Sequence, residues 1–286
     1  MTVSDVQVWL DKGASVEERD RAGGTPLMWA AAYNDDPAVI TALLDAGSDI
    51  DARLVNGWTA LSVAARFNRN PDINATLIEA GADVNVRSED KVTPLTLAVE
   101  YNSLSTAVNL INAGADVNAQ TASQKETPLL LAIQKNNVDL VTALLEAGAR
   151  VDMRYQYGRT ALDAALLRSD INEAIVNALI EAGIDVNARG DFGGVALHSG
   201  LIYYNFAVVN AILDAGADVN AQDRRGKTPL IYATSVNVPE AITLLLDAGA
   251  DANLRDNEGK RALDYAEGKD WLVGTDAYQC LLEATR

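Results

Sequence analysis

The chain carries one histidine, His198, and one cysteine, Cys280. They are its whole stock of imidazole and thiol, and that bounds the chemistry. The Cys/His spacings of zinc sites cannot be written with one of each. A Cys–His nucleophilic pair needs hydrogen-bond reach. These two residues lie more than two periods of the repeat described below apart, or ~20 Å at ~10 Å per stacked helix layer. No Asp-x-Asp-x-Asp-Gly calcium loop, phosphate loop or dinucleotide fingerprint is present in the sequence. A catalytic reading needs a convergent polar cluster, and none is legible. The expectation is a non-enzymatic chain with no metal and no cofactor.

Binding chemistry is better represented. Tyr33, Phe67 and Tyr101 are spaced 34 and 34 residues apart. Trp58, Tyr157 and Phe192 stand at or beside tight turns. Aromatics exposed on a rigid surface are typical anchors of protein interfaces. The alternative is that the three-membered ladder packs beneath neighbouring loops. Asp223-Arg224-Arg225-Gly226-Lys227 is a local basic turn, either a solvated tip or a contact for an acidic partner. Arg19, Arg53, Arg87, Arg154, Arg189 and Arg255 share one place before the turns, serving solubility or facing a partner.

What positions these groups is a repeat. The string GADVN recurs, its Gly at Gly47, Gly81, Gly114, Gly148, Gly183, Gly216 and Gly249, in steps of 34, 33, 34, 35, 33 and 33 residues. A second string, TPLxxA, starts at Thr25, Thr59, Thr93, Thr127, Thr160, Val195, Thr228 and Arg261. Such self-similarity means a stacked array of one supersecondary unit, each burying its apolar face on its neighbours. Thr25 caps a helix that opens with Pro26, whose fixed φ and missing N–H suit the first position. Ala30, Ala64, Ala98, Ala132, Ala165, Gly200, Ala233 and Ala266 keep one place small, so neighbouring helices can approach. Asn34, Asn68, Asn102, Asn136 and Asn237 end that helix, which predicts a left-handed cap. A second helix carries apolar pairs such as Leu43/Leu44 and stops at the repeat Gly. Then comes a tight turn built on Gly23, Gly57, Gly158, Gly193, Gly226 or Gly259. Lys91 and Lys125 break that pattern, so their turns are expected to be less regular.

These strings closely resemble the ankyrin repeat, over essentially the whole chain. The resemblance implies an all-α solenoid of stacked helix-turn-helix units with β-turn fingers, helix-one faces and fingers lining a concave binding side. It makes 1–286 a single domain: a partial N-terminal unit 1–19, repeats 20–53, 54–87, 88–120, 121–154, 155–189, 190–222 and 223–255, and a capping repeat 256–286. The ALDYA-like terminal unit is similar to bacterial arrays. His198 sits in VALH, where ankyrin repeats carry TPLH, so it is expected to brace loops by hydrogen bonding. Cys280 aligns with alanines and reads as a small packing residue. Only a second helix is legible in residues 3–13, either a half-repeat or a trimmed start.

Net charge is −17, which argues against nucleic acid, where a basic footprint is expected. Much of the acid belongs to the repeat itself and reads as a solvated, loop-bonding face. No window is apolar enough to span a membrane, and a single Cys excludes internal disulfides. The expectation is an acidic, monomeric, cytoplasmic scaffold, or a secreted or periplasmic one if an upstream signal has been removed. It would bind a protein or peptide partner through Tyr33, Trp58, Phe67, Tyr101, Tyr157 and Phe192. The alternative is a targeting or regulatory module of a longer, catalytic or secreted protein.

Overall fold

The computed structural model describes residues 1–286 except 102, 156–157, 191–194, 202–204 and 237. The described residues form helices and turns and no strand. They divide into two compact halves, Met1–Arg150 and Val151–Arg286.

In the first half, short inner helices α2 (Pro26–Tyr33), α4 (Ala60–Phe67), α6 (Pro94–Glu100) and α8 (Pro128–Gln134) pack on one another in sequence. The outer helices α1 (Val3–Asp11), α3 (Pro37–Asp45), α5 (Pro71–Glu79), α7 (Leu104–Asn112) and α9 (Val138–Glu146) do the same. The second half repeats the scheme. Its inner helices are α10 (Ala161–Leu166), α12 (Ala196–Gly200), α14 (Pro229–Ser235) and α16 (Ala262–Ala266). Its outer helices are α11 (Glu173–Glu181), α13 (Phe206–Asp214), α15 (Pro239–Asp247) and α17 (Asp276–Ala284).

Helix starts follow the threonines. Thr25, Thr59, Thr93, Thr127, Thr160 and Thr228 each accept the N–H three residues on, satisfying a donor that the helix leaves unpaired. Val195 has no acceptor in its side chain, and Arg261 replaces Thr in the last repeat. Those two starts open the shortest helices, of five residues each. Every outer helix is nine residues long. Gly47 shows how they stop. At φ 93° its N–H reaches the Leu44 carbonyl (2.9 Å) while Ser48 N–H reaches Leu43 (3.1 Å). Only glycine holds that left-handed backbone without a Cβ clash. In each apolar pair the first member, such as Leu43 or Leu77, is buried and the second only half-buried.

Two local expectations are corrected. Asn34 and Asn68 are extended, with φ −100° and −90°; among the described asparagines of that series only Asn136 takes the left-handed form, at φ 56°. The amide has another task. Asn34 Oδ1 accepts Asp36 N–H, and Asn68 Oδ1 accepts Asn70 N–H, so each side chain folds the loop into the next helix. Asn68 Nδ2 also donates to the carbonyls of Ala31 (2.9 Å) and Asn34 (2.8 Å), one repeat back. The Lys91 turn is regular. Lys91 takes φ 58°, and its Ser88–Val92 bonds copy those of the Gly57 turn. The Lys125 turn closes with one more residue, Thr121 N–H to Glu126 O.

The repeat acids bond loops. Asp49, Asp83, Asp116, Asp185, Asp218 and Asp251 each accept at Oδ1 the N–H two residues on. The GADVN asparagines cross between repeats: Asn85 accepts from Asp116 N–H (2.7 Å) and donates to Gly114 O (3.0 Å). Asn187 does the same with Asp218 and Gly216.

Candidate functional site

The aromatic ladder lies in the first half, at the ends of three inner helices. Tyr33 and Phe67 are the last residues of α2 and α4, and Tyr101 caps α6. They remain open to solvent: Tyr33 is 67% exposed, Phe67 44% and Tyr101 45%. Trp58 follows the Gly57 turn and is half-buried. The structure joins them into one patch. The Tyr33 and Phe67 ring centroids are 6.1 Å apart, and those of Trp58 and Phe67 6.5 Å, both tilted.

Two members were not anticipated. Trp29, 40% exposed, stacks on Tyr33 at 6.0 Å. The pair is spaced i, i+4 on one helix face, a signal that could have found it. Trp29 is also seated locally. A Cβ on Gly24 would lie 2.6 Å from its Nε1, so only glycine leaves room. Its indole N–H donates to Asp20 Oδ2 at 3.0 Å. The Gly24 amide holds the Asp20 carboxyl below the ordinary carboxylate range, with the Ala22 amide and the Trp29 indole adding to it against some desolvation.

The second is Arg66. Its guanidinium carbon lies 5.0 Å from the Trp58 ring centroid, 4.8 Å from Phe67 and 5.0 Å from Tyr101. Among the described residues it makes no hydrogen bond or ion pair, and its Nε is buried without a partner. Cation–π attraction to three faces holds it there. Nothing in the repeat pattern marks position 66, because the other repeats place different residues there. Tyr157 and Phe192 lie outside the described residues.

The arginine series makes structural bonds that neither sequence expectation named. Arg19 Nη1 donates to the carbonyl of Arg53 (3.1 Å), and Arg53 Nη1 to that of Arg87 (3.3 Å). Arg154 and Arg189 likewise donate to the carbonyls of Arg189 and Gln222. These four guanidinium groups tie one finger to the next, while Arg87 pairs with Asp116 at 3.1 Å and Arg255 donates to the Gly259 carbonyl of its own turn. His198 behaves as the resemblance implied. It is buried, and its Nε2–H donates to the Lys227 carbonyl of the next finger at 3.0 Å. Burial pushes its pKa below the ordinary value. Cys280 is half-buried on α17.

The basic turn has a built surround. Arg224, Arg225, Lys227, Asp223 and Tyr232 line a cavity of about 540 Å³. Asp223 Oδ1 accepts the N–H groups of Arg225 (2.8 Å) and Lys227 (2.9 Å). Lys227 Nζ stands 4.4 Å from the Tyr265 ring centroid, and the Tyr265 hydroxyl donates to Asp256 Oδ2 at 2.6 Å. That bond, then burial, raises the Tyr265 pKa to about 12. Among the described residues no three His, Cys, Asp or Glu side chains gather as a metal site, and no helix is long and apolar enough to cross a membrane.

Paired helices at this period, joined by fingers, define a repeat scaffold. A family model of ankyrin repeats, three copies long, matches residues 3–88, 27–121, 95–190 and 197–282. The chain belongs to the ankyrin-repeat family. Of 565 solved chains that match, the ankyrin-repeat domain of Bcl-3, a member of the IkappaB protein family, is 26% identical. That match covers 76% of this chain and 97% of that one, with a TM-score of 0.68. The human ASB11 ankyrin-repeat domain is 27% identical over 79% of this chain and 98% of that one, with a TM-score of 0.62. The search of curated proteins gave no match.

Proposed function

We propose that the chain is a non-enzymatic scaffold that engages a protein or peptide through the patch of Trp29, Tyr33, Trp58, Phe67 and Tyr101 around Arg66. The observation that carries this reading is the exposure of four large rings in one contiguous cluster, each resting on another ring or on the guanidinium. Solitary exposed apolar residues need no explanation, but a clustered patch marks an interaction site. The rings are held before any partner arrives, by Gly24 and Asp20 under Trp29 and by Arg66 between the others. Little side-chain entropy is then lost on binding. Arg66 adds donors for a carbonyl or carboxylate of the partner. The same surface serves a free-standing scaffold or a targeting module within a longer protein.

The test is capture on the immobilised chain, quantified by mass spectrometry, beside Tyr33→Ala and Phe67→Ala. A bound protein that falls at least about tenfold with either variant, while both remain fully folded at the assay temperature, supports the patch. Undiminished capture by both variants rejects it.

A further inference from the structure

In the second half of the chain, we propose that the Arg224–Arg225–Lys227 finger and its cavity form a separate docking site for an acidic segment of a protein partner, one with consecutive Asp or Glu residues in extended form. A flexible, solvated turn would carry no such site, and three observations distinguish this one.

First, the finger is fixed from both sides. Asn257 N–H donates to the Arg225 carbonyl at 2.9 Å, and Asn257 Nδ2 to the Arg224 carbonyl at 3.0 Å. A Cβ on Gly226 would come within 2.6 Å of Asn257, so the two fingers are in close contact there. From the other side, the Lys227 carbonyl accepts His198 Nε2–H. The cations therefore project from a held backbone.

Second, the nearby acids are already engaged. Asp223 binds the amides of its own turn. Asp256 accepts the N–H groups of Glu258 and Lys260 as well as the Tyr265 hydroxyl. Glu258 pairs with Lys260 at 2.9 Å, and Asp264 with Arg261 at 3.4 Å. The guanidinium groups of Arg224 and Arg225 are exposed and make no hydrogen bond or ion pair among the described residues. They remain available for bidentate carboxylate recognition.

Third, the cavity suits a peptide better than a lone anion. About 540 Å³ lies within the size range of ligand pockets. It is far more than one phosphate fills, and Tyr232 and Val236 give it apolar wall beside the cations. The net charge of −17 does not forbid an acidic ligand. At physiological salt, charges beyond a Debye length of ~8 Å are largely screened, so the local charges decide, and in the lining Arg224, Arg225 and Lys227 outnumber Asp223.

The test is fluorescence anisotropy of a fluorescein-labelled hexaglutamate peptide against the full chain. The expected result is saturable binding that weakens with added salt. It should weaken at least about tenfold in Arg224→Ala/Arg225→Ala, with an unchanged circular-dichroism melt, and by less in Arg224→Lys/Arg225→Lys, which keeps the charges but not the bidentate fork. Phe67→Ala should bind the peptide like the parent, which keeps this site distinct from the aromatic patch. No binding, or equal binding by the double alanine variant, overturns the proposal. Complete displacement by an equimolar amount of inorganic phosphate also overturns it, in favour of a small-anion site.

Discussion

Phe67→Ala separates an interface ring from a core ring by magnitude alone. A fully buried Phe replaced by Ala costs ~3–5 kcal/mol, because transfer and cavity terms add. Phe67 is 44% exposed, so just over half of its surface is withdrawn from water. Full burial of such a side chain contributes ~1.5–3 kcal/mol, and half of that is about 1–1.5. Its ring also faces Arg66 at 4.8 Å, a contact worth ~0.5–1 kcal/mol at an exposed site. The loss on folding should therefore be about 1.5–2.5 kcal/mol. Little cavity term arises, because water refills an open site. The assay is urea unfolding followed both by far-ultraviolet circular dichroism and by tryptophan fluorescence, which reports on Trp58 beside the ring. Two probes are needed because repeat arrays can lose cooperativity. Leu61→Ala, at a fully buried position of the same helix, is the benchmark and should cost ~2–5 kcal/mol. If Phe67→Ala destabilises by 3 kcal/mol or more, matching or exceeding Leu61→Ala, the ladder is packing and the patch argument fails.

Three further outcomes follow from the geometry. Asn74, on α5, is fully buried, with neither its amide nitrogen nor its oxygen bonded among the described residues, where other repeats place Val141, Val176 and Val209; Asn74→Val should raise stability by ~1–3 kcal/mol in urea unfolding. Lys91 sits at φ 58°, which costs a residue with a Cβ ~1–2 kcal/mol. Lys91→Gly should recover that less the ~0.4–1 kcal/mol of added unfolded-chain entropy, a net gain of between zero and ~1.6 kcal/mol at the denaturation midpoint. His198 has a folded pKa below its ordinary value because burial disfavours the imidazolium. The unfolded chain then binds more protons, so the stability in question is fully present above pH ~6.5 and declines as pH falls below it. Stability of the parent should drop relative to His198→Gln between about pH 8 and pH 5.5; parallel curves for the two proteins would contradict this.

The sequence alone determined the helix pairs, their period and their ends. Each of those features rests on bonds that close within a few residues: Thr25 to Met28, Asp49 to Asp51, Gly47 to Leu44. Spacing within such a window is directly visible as residue type and period. The likeness of Tyr33, Phe67 and Tyr101 was visible for the same reason. Their exposure was not, since a ring at a helix end can fold inward or outward with equal local geometry. Tertiary structure decided that, and it decided what joins one repeat to the next. Arg19 reaches a carbonyl 34 residues away, Asn68 turns from a helix cap into a bracket across 37 residues, and Arg66 gathers three rings from two repeats. Those partners depend on the stacking distance and on rotamers at exposed positions. Core burial imposes a period on buried positions and none on exposed ones, so Trp29 and Arg66, which complete the patch, leave no repeating mark in the sequence.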